Sequence, residues 1–197
     1  MTMSSAPVSR AAVLDRAVGN SPFLKDLTHA LPEIAEKFLQ QGADAAAQFA
    51  LAMEDEAAEA LLRRRRQGLA LAVALGDLAG EMPLERVTRL LSDFADQAID
   101  LALRTAIAER VPDAPPQGLA VIAMGKLGNH ELNYSSDVDL MLLFDPDRLP
   151  RRDRDDPGEA AVRIAGRMIE LLQKRTAEGY VVRVDLRLRP SPEVTPI

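Results

Sequence analysis

Apolar residues recur at helical spacing through the first 111 residues and give way to strand-length runs after residue 118. The lead predicts short helices. The first covers about residues 8–18 and is closed by Gly19-Asn20; Ser21-Pro22 then supplies an N-cap and a first-turn proline for the next. Residues 33–40 and 43–52 form two further pieces split by Gly42. A long helix is expected over Glu54 to Leu78, and another opens after Pro83 and runs to Val111, where Pro112 stops it. In the last of these, Leu84, Val87, Leu91, Phe94, Ala98 and Leu101 fall at intervals of three and four and predict one buried stripe.

A proline-rich linker, residues 112–118, separates this part from one of different character. Leu119 to Met124 is a continuous apolar run, Val138 to Phe144 a second, and Tyr180 to Leu188 a third with period-2 alternation. A helix is punctuated by Asp156-Pro157 at its start, Glu159 in its first turn, Lys174 and Arg175 in its last, and Gly179 beyond. The expected order is therefore strand, turn, strand, helix, strand. The expected organisation is α+β, with a helical region over residues 1–117 and a small mixed sheet with helices over 118–197.

Composition narrows the classes. The chain has 197 residues, 47% of them apolar and 4% aromatic, enough for a core packed mainly through aliphatic helices. A net charge of −6 argues against general nucleic-acid binding, which needs clustered excess Lys and Arg. With no cysteine there is neither a disulfide framework nor a thiolate metal site. The N-terminus carries no apolar signal core, and no run is long and apolar enough to span a bilayer, so a cytoplasmic location without membrane attachment is expected.

The chemistry concentrates in residues 125–144, GKLGNHELNYSSDVDLMLLF. Gly125-Lys126 is not a P-loop, because Leu127 stands where a Ser or Thr must bind the metal. His130-Glu131 lacks the second histidine of a zinc helix, and Asp137 to Met141 lacks a calcium loop's ligands and glycine. What survives is Asp137-Val138-Asp139. In an extended strand, alternate side chains leave one face about 7 Å apart, so two carboxylates can approach one hard cation. Val138, Leu140, Leu142 and Phe144 then form the opposite, buried face. The third strand repeats the arrangement: Asp185 stands among Arg183, Arg187 and Arg189, and these guanidinium groups suit phosphate oxygens. The arginine run 63–66 reads as a polar helix face with at least one pair to a neighbouring glutamate, and the mixed run 151–156 as solvated.

The stretch from Gly125 to Phe144, with RVDLRLRP over residues 183–190, closely resembles the bifunctional glutamine synthetase adenylyltransferase and adenylyl-removing enzymes. Those proteins have two nucleotidyltransferase-like (polymerase-β-like) halves, each with G-K-L-G, S-D-x-D and V-D-x-R-L-R-P motifs. The resemblance implies that Asp137, Asp139 and Asp185 hold Mg²⁺, with Mn²⁺ as an alternative, and are the catalytic carboxylates. It implies that Gly125, Lys126, Gly128, Ser135, Ser136, Arg187 and Arg189 face ATP or ADP phosphates. Asn129 stands where the family usually has a second glycine, and a positive φ is expected there, which Asn tolerates.

The motif variants resemble the N-terminal, adenylyl-removing half. That implies phosphorolysis of adenylyl-tyrosine on glutamine synthetase, a PII-type signalling protein as regulator, and a nucleotidyltransferase core that is C-terminally incomplete here. A different expectation is a non-catalytic helical module that docks glutamine synthetase or a PII-type regulator.

Overall fold

The computed structural model describes residues 9–186. The chain divides into two compact units, one comprising residues up to Asp55 with Arg64–Val87, the other Glu56–Arg63 with Thr88 onward. This division by packing lies elsewhere than the change of composition at residue 117.

The first unit is helical. Its elements are α1 (Arg10–Asn20), α2 (Pro22–Ala30), α3 (Pro32–Gln41), α4 (Ala43–Leu51) and most of α5 (Ala58–Ala79). Ser9 and Ser21 cap α1 and α2 through their hydroxyls, and Pro22 occupies the first turn of α2, as its side-chain chemistry predicts. Gly42 ends α3 at φ 92, a backbone state that costs glycine little. Small residues let α4 and α5 approach closely. A Cβ on Gly76 would lie 2.6 Å from the Ala43 Cβ, and one on Gly68 would lie 3.0 Å from the Ala50 Cβ. The alanine richness of the sequence thus serves tight helix contact.

One carboxylate does the work of a missing cap. Gly42 offers no side chain to the first turn of α4, and the Ala43 amide instead donates to Glu81 Oε2 at 2.9 Å. Glu81 also accepts from Arg10 Nε at 2.5 Å. Burial pushes the Glu81 carboxyl up, but the Arg10 and Ala43 hydrogen bonds outweigh it and hold its pKa below the ordinary value of 4.5.

The second unit contains the start of α5, most of α6 (Leu84–Arg110), β1 (Leu119–Met124), the single-turn α7 (Gly125–Gly128), β2 (Val138–Phe144), α8 (Pro157–Gln173) and β3 (Val184–Asp185). Strand order is β1-β2-β3, with β1 antiparallel to β2 and β2 parallel to β3. The expected order of strand, turn, strand, helix, strand is the observed one. Helix-rich with one small mixed sheet, the protein is α+β.

Four expectations change in detail. Helix α5 begins at Ala58 rather than Glu54, and Leu84 is 70% exposed. The buried stripe of α6 runs instead through Val87, Leu90, Phe94, Ala98, Ala102 and Ala106. On β2, Val138 and Leu140 are buried but Phe144 is 46% exposed. That end of the strand borders an open apolar groove with Ala161, Val162 and Ala165 of α8. The third strand also begins later than expected, at Val184 rather than Tyr180: the Val181 and Val182 amides bond to the Leu172 carbonyl at the end of α8, so they are unavailable to a sheet ladder, and the expected end at Leu188 lies outside the described residues.

Charged groups lock the second unit's helices. Arg167 of α8 meets Glu59 of α5, Glu109 of α6 and Glu170 at 3.0, 2.7 and 3.0 Å. Arg63 is buried, donates to the Glu59 carbonyl at 3.1 Å and pairs with its carboxylate, the neighbour pairing expected for the arginine run. Within the run expected to be solvated, Asp155 is instead held by Arg110 and Arg163.

Candidate functional site

The site is assembled at one end of the sheet by strand register. Met124 pairs with Asp139 across the antiparallel ladder, and Asp139 pairs with Asp185 across the parallel one. Residues in register on neighbouring strands share a face, and adjacent strands lie about 4.8 Å apart. Asp139 and Asp185, 46 positions apart in sequence, are thereby placed side by side. Both are half-buried, and the hydrophobic residues flanking Asp139 on its own strand, Val138 and Leu140, anchor the opposite face in the core.

The chain after β1 turns sharply over this pair. Gly125 has φ 55, and a Cβ placed on it would lie 2.6 Å from Asp139 Oδ2. Only glycine accommodates both the left-handed backbone and the carboxylate. Gly128 is equally constrained, since its Cβ would lie 2.7 Å from the Ala123 carbonyl oxygen at the end of β1. The GKLG stretch is therefore a single helical turn pressed onto the strand end, with Leu127 buried beneath it and Lys126 exposed. Lys126 Nζ reaches Ser136 Oγ at 3.4 Å, and that hydroxyl donates to Asn133 Oδ1 at 2.6 Å. Asn129 has φ −96, so the positive φ expected of it belongs to the next residue, His130, at φ 55.

Asp137 is placed differently. Its carboxylate accepts from Arg183 Nε, and the same guanidinium donates to the Ser135 carbonyl at 2.6 Å and to the Tyr180 hydroxyl at 3.0 Å. The Asp137 hydrogen bond is the main cause that raises the Arg183 pKa. Both partners are nearly half-exposed, which limits the energetic weight of the pair. Among the described residues no group of three or more His, Cys, Asp or Glu side chains is arranged to hold a metal. The carboxylates that the register itself juxtaposes are the pair Asp139 and Asp185.

Of the residues singled out in the sequence, the structure thus brings Gly125, Asp139 and Asp185 together and Lys126 with Ser136. Ser135 contributes its backbone carbonyl, and Asp137 faces Arg183. Arg187 and Arg189 lie outside the described residues. Arg183 was read as one of the arginines suited to phosphate oxygens, but it is engaged with Asp137 and the Ser135 carbonyl. That pairing, like Asn133 as the partner of Ser136, was not legible, because both depend on which loop meets which strand.

A sequence model of the glutamate-ammonia ligase adenylyltransferase family matches residues 8–197. The chain belongs to that family.

Curated relatives of this adenylyltransferase family agree. The chain is 43% identical over 99% of its length to the bifunctional glutamine synthetase adenylyltransferase/adenylyl-removing enzyme of Xanthobacter autotrophicus. Identity to the proteins of the same description from Mesorhizobium japonicum and Rhizobium meliloti is 40% and 36%, over 95% and 98% of the chain. The chain spans about a fifth of the length of these relatives. Among the described residues, no helix is long and apolar enough to cross a membrane.

Proposed function

We propose that this chain forms part of the adenylyl-removing half of a cytoplasmic, bifunctional glutamine synthetase adenylyltransferase, and that its second unit is a nucleotidyltransferase-like centre. The observation that carries this reading is the register that sets Asp139 beside Asp185 beneath Gly125. The protein substrate is adenylylated glutamine synthetase, with a PII-type signalling protein as regulator. In the reaction, an oxygen of inorganic phosphate bonds to the adenylyl phosphorus and the bond from phosphorus to the tyrosyl oxygen breaks. That oxygen takes up a proton, and ADP and unmodified glutamine synthetase are released.

The residues present fit a hard divalent cation in part. Asp139 and Asp185 supply adjacent carboxylates on one sheet face, and the missing Cβ at Gly125 leaves room at Asp139 Oδ2. Asp137 is the proposed third ligand. Bound there, Mg²⁺ or Mn²⁺ would neutralise charge on the phosphoryl oxygens. The remaining roles belong to the chain itself. Lys126 and Ser136 present a cation and a hydroxyl, 3.4 Å apart, beside the turn, as donors for phosphate oxygens of ATP or ADP. Arg183, by holding both Asp137 and the Ser135 carbonyl, fixes the approach of the loop to β2. Arg187 and Arg189 are the proposed further phosphate contacts.

A chimera tests which reaction this segment serves. With this chain replacing the matching segment of the Xanthobacter autotrophicus relative, Asp139→Asn should abolish phosphate-dependent ADP release from adenylylated glutamine synthetase and leave ATP-dependent adenylylation intact. Loss of adenylylation with ADP release preserved would assign the segment to the other half.

A further inference from the structure

We infer that Ser92, in the interior of α6, is a positioning residue that sets the phosphate-side loop of the site through its hydroxyl. The inference rests on the nucleotide-binding reading above. Ser92 is fully buried, one of two buried polar or charged residues among those described. A serine inside a helix commonly donates back to the carbonyl four residues earlier, and Ser92 Oγ does so to Thr88 at 2.8 Å. With its single proton committed, the hydroxyl turns its lone pairs outward and accepts from the Leu132 amide at 3.1 Å. The contact joins residues 40 apart in sequence.

The place where this bond lands gives it consequence. Leu132 follows the left-handed reversal at His130 and precedes Ser135 and Ser136 by three and four positions. The stretch comprising α7 and the loop to β2 is thus held at three points: Gly125 lies against Asp139, the Leu132 amide on Ser92, and the Ser135 carbonyl on Arg183. Leu127 and Leu132 bury their side chains, but apolar contact is non-directional and tolerates sliding along a helix. The Ser92 bond is directional, so it fixes the register of the loop along α6 and, with it, the place at which Ser136 meets Lys126. The neighbouring α6 residue adds a weaker contact, Asp93 Oδ1 lying 3.6 Å from His130 Nδ1. Ser92 itself touches no ligand; it acts through Leu132 on the groups proposed to meet the diphosphate of ADP.

Removing the hydroxyl leaves a buried amide without its partner, and a loop shift of even an ångström is enough to misplace phosphate donors. Two variants of the whole chain read this out: Ser92→Ala, which deletes the hydroxyl, and Ser92→Cys, which replaces it with a somewhat larger group that is a weaker donor and acceptor. Calorimetric titration with ADP and Mg²⁺, at a temperature where each variant is folded, should show affinity falling at least tenfold in the alanine variant and by a smaller factor in the cysteine variant. Amide exchange should rise at Leu132 and through Ser136 and stay unchanged in α1 to α4. Equal ADP affinity in wild type and in whichever of the two variants folds would overturn the positioning role and leave the nucleotide site standing. A wild-type chain that binds no ADP would overturn the nucleotide reading and this role together.

Discussion

Gly125 concentrates the local demands of the site. Its φ of 55 belongs to the left-handed region, and the position a Cβ would take lies 2.6 Å from Asp139 Oδ2. Alanine there meets two penalties, the left-handed cost of about 1–2 kcal/mol and a collision with the carboxylate. Gly125→Ala should therefore lower stability in chemical denaturation by at least the backbone cost of about 1–2 kcal/mol and weaken Mg²⁺-dependent ADP binding at least tenfold. A variant with native binding would show that Asp139 does not need this backbone approach. The motif glycine was visible in the sequence, but its target was not. That a carboxylate fourteen positions later fills the missing Cβ's place is a product of the β1–β2 register, in which Met124 faces Asp139.

At the scale of elements, local punctuation was the most readable signal. Ser21-Pro22, Gly42 and Asp156-Pro157 mark helix boundaries because each satisfies or releases backbone groups within its own turn. The Asp156 side chain accepts from the Glu159 amide as its position predicts. Elements whose limits depend on distant partners were less readable. The third strand starts late because Val181 and Val182 donate to the end of α8, and nothing in its alternating pattern reports that competition. Glu81 is the same lesson in a helix cap, since Gly42 leaves the α4 amides without a local side chain and a residue 38 positions on from Ala43 serves them.

This cap predicts a pH dependence. The folded pKa of Glu81 lies below its ordinary 4.5, so its contribution is fully present above pH 4.5 and is lost as pH falls through the depressed folded value. Glu81→Gln should cost about 1 kcal/mol near neutrality, roughly 2–4 °C in Tm, and the gap to wild type should close in melts taken progressively below pH 4.5. A gap that is constant with pH would mean that the charge of Glu81 contributes nothing.

Across the whole molecule, the chain divides into two compact units, and helices α5 and α6 contribute residues to both. The helical unit is built from short, alanine-rich helices in close contact, and the unit with the sheet carries every described residue of the candidate site. Membership of the glutamate-ammonia ligase adenylyltransferase family was legible from two separated motifs, GKLGNHELNYSSDVDLMLLF and RVDLRLRP, and the match over residues 8–197 agrees. How the carboxylates divide was not legible. Period-2 alternation placed Asp137 and Asp139 on one face as equals, whereas Asp137 is bound by Arg183 and Asp139 is paired with Asp185.

We propose that the Asp139 and Asp185 pair is a cation-dependent nucleotide site. Calorimetric titration of the chain with ADP in the presence and absence of Mg²⁺, repeated on Asp139→Asn and Asp185→Asn, tests it most directly. Binding in the wild type should depend on Mg²⁺, and either substitution should reduce it at least tenfold while the fold is retained. Binding that is indifferent to Mg²⁺, or that survives both substitutions, would contradict it.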